Sequence, residues 1–218
     1  MSVQPAKSAP QPIVLDGRYV RLEPIEVRHA ADLFAVSTLS GGAERYRWLL
    51  SDAPESVAAM EQRIAASNAG PDRHVAVIDK ASDKAVGQQA WMRIRPEHGS
   101  IEIGGVHWGL PMARSRLATE AFYLFARHAF DDLGYRRFEW KCNVQNAPSK
   151  AAALRFGFTF EGVFRQDMIA KGENRDTAWL SILDGEWPSL RAEYERWLAP
   201  DNFDAEGRQK TKLMTTRP

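Results

Sequence analysis

Between Ser100 and Leu133 the chain switches period once, and that switch limits its folds more than any other feature. Ser100 to Trp108 reads as a strand. Arg116 to Leu133 then carries Ala118, Ala121, Phe122, Phe125, Ala129 and Leu133 on one helical face, and Gly134 ends the run. Short elements surround this junction. Ile13 to Pro24 predicts a hairpin or bent edge strand around Asp16-Gly17. Glu26 to Ser37 and Pro54 to Asn68 have helical spacing, with Pro54 suited to a first helical turn. His74 to Ile78 and Ala85 to Ile94 predict two more strands. After the long helix come a strand at Arg137 to Val144 and a short helix at Pro148 to Phe156, closed by Gly157. Two strands follow, Phe158 to Ile169 and Asp176 to Leu183, and then an amphipathic helix at Trp187 to Leu198. The order from His74 onward is strand, strand, strand, helix, strand, helix, strand, strand. That is an α/β (α+β) arrangement with a meander first and crossover helices later, so a mixed sheet is expected.

A chain of 218 residues, 44% hydrophobic and 26% charged, suffices for one domain with a sizeable core. We expect a disordered arm at residues 1–12, a single domain at 13–200 and a flexible tail at 201–218. The 29 basic and 28 acidic side chains leave a net charge of +1, which gives no electrostatic case for nucleic acid or an anionic membrane as partner. Cys142 is the sole cysteine, so an intrachain disulfide is excluded and a small core residue is expected. Met1 to Pro12 lacks the apolar run of a secretory signal, and no stretch approaches the ~20 apolar residues that cross a bilayer. The expected location is cytoplasmic.

The junction from Trp108 to Ala121 is the first candidate site. A basic, small-residue loop at a helix start presents backbone N–H groups and the positive end of the helix dipole, which suits phosphates. Arg114 and Arg116 add charge there, although a solvated loop has the same composition. The chain lacks a Gly-x-Ser-x-Gly elbow, a phosphate loop ending in Gly-Lys-Ser/Thr and a His-Glu-x-x-His pair, which removes the usual hydrolase and metal signatures. No metal site is expected. His128 with Asp131 and Asp132 reads as helix-surface charge.

Two runs, Ile101-Glu-Ile-Gly-Gly through Leu117-Ala-Thr-Glu-Ala121 and Phe130-Asp-Asp-Leu-Gly-Tyr-Arg-Arg137, resemble the acetyl-CoA-binding motif of the GNAT acetyltransferase superfamily. Asn143-Val-Gln-Asn-Ala-Pro-Ser149 and Leu154-Arg-Phe-Gly-Phe-Thr-Phe-Glu-Gly162 resemble its next motif, in the form found in the RimJ/RimL branch. The resemblance covers about Ile13 to Leu183. It implies a mostly antiparallel sheet flanked by helices and splayed where the cofactor enters. The implied activity is acetyl-CoA-dependent acetylation of a primary amine, on a protein N-terminus or a small molecule, in a branch where dimers are common. A catalytically retired coenzyme-A-binding or regulatory protein of the same fold is the alternative. The resemblance departs at Ala113 and Arg116, where the family's pyrophosphate loop has Gln or Arg and then Gly. Losing that glycine predicts harder access to positive φ.

The same resemblance assigns roles. Backbone groups of Val106, His107 and Trp108 pair with the pantetheine arm, and Arg114, Ser115, Arg116, Leu117, Ala118 and Thr119 form the phosphate loop. Asn146 holds a pantetheine amide and Ser149 protonates the departing thiolate, although both are also good N-cap residues. Ala153 stands where many relatives have a tyrosine acid. Acetyl transfer to an amine needs a base, and Glu102 on the entering strand and His107 nearer the loop are the two candidates. Tyr46 and Trp48 are expected either to wall the acceptor or to belong to the core.

Overall fold

The structure, a computed structural model, describes residues 4–39 and 41–215. Among the described residues, eight strands and six α-helices follow in chain order. They are β1 (Leu15–Asp16), β2 (Val20–Pro24), α1 (Ala30–Thr38), α2 (Gly42–Arg45), α3 (Val57–Asn68), β3 (Arg73–Asp79), β4 (Lys84–Arg95) and β5 (Ser100–Trp108). Next come α4 (Arg116–Arg127), β6 (Arg137–Asn143), α5 (Ala147–Arg155), β7 (Thr159–Ala170), β8 (Glu173–Leu183) and α6 (Trp187–Leu198). The strands form an open, mostly antiparallel sheet in the order β1-β2-β3-β4-β5-β6-β8-β7.

The chain divides into two compact units. The first takes Ala9–Ile94 and Ile103–Phe125; the second takes the stretch up to Ser8, Arg95–Glu102 and everything from Ala126 onward. In the first unit Ile25, Leu33, Met60, Ile64, Ala76 and Ile78 form a buried cluster under α1 and α3. Helix α3 starts at Val57, not at Pro54 as the proline suggested, because the Ser56 hydroxyl accepts the Ala59 N–H at 3.1 Å and caps it there. The segment with Tyr46 and Trp48 forms the short helix α2 and a 3₁₀ turn, Tyr46–Trp48.

In the second unit β6 and β8 pair with Glu139 opposite Ser181 and Lys141 opposite Trp179. Alternation therefore separates two faces. Phe138, Trp140, Cys142, Ala178, Leu180 and Ile182 are buried on one, while Arg137, Glu139, Lys141, Trp179 and Ser181 share the other. The long helix expected to reach Leu133 is α-helical only to Arg127. Over His128–Asp132 it widens into a π turn, closed by the Leu133 N–H on the His128 carbonyl at 3.1 Å.

The segments expected to be flexible carry hydrogen bonds in this unit. Ala6 N–H donates to the Pro96 carbonyl at 2.9 Å, and the Thr215 hydroxyl donates to the Arg155 carbonyl at 2.8 Å. Residues 1–3 and 216–218 of those segments lie outside the described residues.

Candidate active site

In the first unit the end of β5 is kinked. Gly105 has φ +57 in mid-strand, a left-handed conformation that a side chain would strain, and it re-aims the residues that follow. A close approach fixes them. At Gly87 on β4 a Cβ would stand 2.6 Å from the Met112 sulfur and 3.0 Å from the His107 carbonyl oxygen, so a side chain there would have to displace Met112 and press on the strand end. The Trp108 indole N–H donates to Gln89 Oε1 at 2.9 Å, and Gln89 Nε2 donates to the Ala121 carbonyl at 3.2 Å, tying the strand end to α4. Arg45 donates to the Trp108 carbonyl. Val106 and Trp108 are half-buried.

His107 is buried, and its Nε2 has no hydrogen-bond partner. Burial, with the Arg45 and Arg63 charges adding to it, lowers its pKa to about 4, so the imidazole is neutral at pH 7. The Tyr46 ring lies 4.5 Å from it, tilted by 32°. The Ser37 hydroxyl donates to the Leu33 carbonyl, so the Tyr46 hydroxyl, 2.9 Å away, donates to Ser37. Tyr46 is thus a buried support for the imidazole, and its own pKa is raised, chiefly by burial. Trp48 is half-buried, with the Arg47 guanidinium 4.8 Å from its ring centroid.

The loop to α4 is a 3₁₀ turn, Leu110–Met112, followed by exposed Ala113 and Arg114. The left-handed residue is Arg114, at φ +56, whereas Arg116 is already helical. Position 116 therefore does not need positive φ, and the left-handed residue sits two residues earlier. The Ser115 hydroxyl accepts the Leu117 N–H at 3.2 Å and donates to the Met112 carbonyl at 2.9 Å, which fixes the helix start. The Arg116 guanidinium stands 4.2 Å from the Tyr19 ring centroid. Leu117 is half-buried, and Ala118 and Thr119 are buried. The next residue, Glu120, is a buried carboxylate accepting the N–H groups of Arg18, Tyr19 and Val20 at 2.8, 2.6 and 2.7 Å.

In the second unit Glu102 is buried, with Lys141 Nζ 3.1 Å from its Oε2. The same ammonium lies 5.1 Å from the Trp179 ring centroid. Asn146 caps α5 by accepting the Ser149 N–H at 3.1 Å, as its sequence position suggested. The Ser149 hydroxyl accepts the Trp140 indole N–H at 3.0 Å and is hydrogen-bonded to the Cys142 thiol. Cys142 is buried and its thiol pKa is raised, chiefly by burial, so it is a core residue with little thiolate. Ala153 is fully buried.

The structure thus brings His107 together with Tyr46, and Asn146 with Ser149. Glu102 and His107 lie on the same strand on either side of the Gly105 kink. Sequence reasoning missed Lys141, Glu120 and His74. The alternation of Arg137, Glu139 and Lys141 announced a polar face of β6, but not which carboxylate Lys141 meets. His74 is half-buried on β3, with Cε1 3.6 Å from where a Gly105 Cβ would stand. Burial lowers its pKa, and nothing in its neighbours along the chain signals that position.

A family match places this sheet, with its kinked strand and capped helix start, in the acyltransferase class. The sequence profile of the acetyltransferase (GNAT) domain matches residues 20–159, and the chain belongs to the GNAT acetyltransferase family. A GCN5-related N-acetyltransferase from Brucella melitensis is 48% identical, with a TM-score of 0.93 over 97% of this chain and 96% of that one. The Uncharacterized N-acetyltransferase p20 of Bacillus licheniformis is 30% identical over 122 residues, which are 54% of this chain and 66% of that relative's length. RimL, a ribosomal L7/L12 alpha-N-protein acetyltransferase, is 19% identical and shares the fold, with a TM-score of 0.68 over 78% of this chain and 94% of its own.

Proposed function

We propose that this chain is an acetyl-CoA-dependent N-acetyltransferase that acetylates a primary amine by direct transfer. The observation that carries this reading is the β5–α4 junction. A strand kinked at Gly105 leads through Val106, His107 and Trp108 to a basic loop and a capped helix start. Its donors fit the coenzyme. Exposed Arg114 and the N-terminal N–H groups of the 12-residue α4 suit a pyrophosphate, with Arg116 and Ser115 beside them. Asn146 and the backbone of Val106 to Trp108 would hold the amide arm.

Bound acetyl-CoA supplies an acyl group already activated as a thioester, so the chain needs no nucleophile of its own. Its residues manage protons. An ammonium acceptor must lose one proton before its nitrogen can attack the acyl carbon, and the C–S bond breaks as the C–N bond forms. The Glu102 carboxylate, with the Lys141 ammonium 3.1 Å away, takes that proton directly or through a water. His107, with a pKa of about 4, is too weak a base to hold a proton near neutrality; its role is as a neutral hydrogen-bonding ring. The Ser149 hydroxyl donates to the leaving sulfur.

The acceptor classes are a protein N-terminus, as RimL's name indicates for that protein, or a small amine. The absence of a described helix long and apolar enough to cross a membrane accords with a cytoplasmic site of action. A homodimer belongs to the same reading. Strand β7 ends the sheet with Phe160, Val163, Phe164 and Ile169 exposed, Ile169 at 82%.

The test is calorimetric titration with acetyl-CoA followed by thiol release against a panel of amines and N-terminal peptides, in the wild type and in Glu102→Gln. Binding with release, and a turnover loss of about 100-fold or more in the variant at little-changed acetyl-CoA affinity, is the expected outcome. Binding without release on any acceptor favours the retired, coenzyme-binding alternative. No binding at all overturns the reading.

A further inference from the structure

The second unit holds a cleft of about 340 Å³ whose lining includes Arg95, Ser100, Arg136, Arg137, Glu139 and Asp184. Its place follows from strand geometry. Ser100 stands two residues before Glu102 on β5, and Glu139 two residues before Lys141 on β6. A two-residue step keeps side chains on one face, roughly 7 Å apart. The Glu102–Lys141 pair and the cleft are therefore neighbours on the same polar face.

The hydrogen bonding in the cleft is unbalanced in one direction. Buried Glu139 accepts Arg137 Nε at 2.8 Å and, more weakly, Arg95 Nη2 at 3.4 Å. The other two Arg137 nitrogens go to the Glu161 carboxylate at 2.7 and 2.6 Å, and Glu161 also accepts the Ser181 hydroxyl at 2.7 Å. That leaves Arg95 Nε and the Ser100 hydroxyl, both buried and without a hydrogen-bond partner, on the wall of one cleft. Arg136 is exposed on the same wall, its stem passing Gly99. The Asp184 carboxylate, also on that wall, accepts the Gly185 N–H at 2.8 Å. Of the two unpartnered groups, Arg95 Nε only donates and the Ser100 hydroxyl can donate. A carboxylate or phosphate, with several acceptor lone pairs and a negative charge, is the chemistry that satisfies them. The volume is at the small end of ligand pockets, which points to a small molecule and away from a folded partner.

We propose that the acceptor is a small amine bearing a carboxylate or phosphate several bonds from its nitrogen. The anionic end is held by Arg95, Ser100 and Arg136, and the amine lies by Glu102. This rests on Glu102 marking the acetyl-acceptor site.

Two readouts on the full chain separate the parts. Calorimetric titration without acetyl-CoA compares 5-aminopentanoate and 3-aminopropyl phosphate with pentylamine; thiol release with acetyl-CoA then compares the same three. Both anionic amines should bind at least tenfold more tightly than pentylamine and be acetylated in preference to it. Arg136→Ala, at an exposed position that does not endanger folding, and Ser100→Ala should each remove most of that advantage. A preference for only one of the two anions names the source and supports the site. Equal binding of pentylamine, or an advantage that survives both substitutions, overturns the inference while leaving the acetyltransferase reading intact. Anion-dependent binding with turnover only on pentylamine or on peptides leaves an anion cleft but overturns its role as the acceptor site. Absent acetyl-CoA binding overturns the functional reading on which the acceptor assignment rests.

Discussion

At the scale of single residues, two buried ionisable groups on β5 have different surroundings. Glu102 has an ammonium 3.1 Å away, whereas His107 is governed first by its burial, with the Arg45 and Arg63 charges adding to it and the tilted Tyr46 ring beside it. The imidazole is therefore held neutral, and that has a consequence for stability. The unfolded chain binds a proton at His107 below about pH 6.5, whereas the folded chain does so only near pH 4. The contribution of the neutral imidazole is complete above pH 6.5 and is lost as the pH falls towards 4. The depression of roughly two and a half units corresponds to about 3 kcal/mol. Denaturant unfolding at pH 7 and pH 4 should accordingly show wild type losing about 3 kcal/mol more than His107→Gln; equal losses would remove the histidine from the acid limb. Of these residues the sequence named both, Glu102 ahead of His107, but on family position and without their surroundings. Those surroundings include Lys141, which lies 39 positions from Glu102 and meets it only through strand pairing.

At the scale of elements, α4 does more than offer its N-terminus to a ligand. Glu120 in its second turn gathers three N–H groups of the β1–β2 connection, so helix and hairpin are clamped by one carboxylate. Glu120→Ala would leave those donors without their acceptor, Val20 fully buried among them, and should destabilise the protein by about 2–4 kcal/mol in chemical denaturation. A loss within experimental error would mean that water replaces the carboxylate. The sequence pattern located β5 and α6 at their observed bounds and most other elements to within a residue or two, because their apolar runs are regular and turn residues such as Gly99, Gly109 and Pro200 bound them. It misplaced what depends on local hydrogen bonds. Ser56 outcompeted Pro54 as the start of α3, and a π turn replaced the last turn of α4.

At the scale of the whole molecule, the exposed apolar side chains of β7 bear on association. An edge strand with Phe164 and Ile169 in water is a surface that a second copy would cover, although the register shifts at Phe160/Gly162 and Phe164/Met168 interrupt its ladder. Sedimentation velocity should show a dimer in the wild type and a monomer in Phe164→Asp/Ile169→Asp; a monomeric wild type would end that part of the reading. The sequence by itself determined the order of elements, the strand-to-helix junction and its motifs, since periodicity and glycine placement act over neighbours along the chain. Tertiary structure alone decided which charges meet. Lys141 beside Glu102, Tyr46 under His107, Glu120 on the hairpin and the donors of the Arg95–Ser100 cleft are pairings across strands and helices. Their energies depend on distance and burial, which no local pattern encodes.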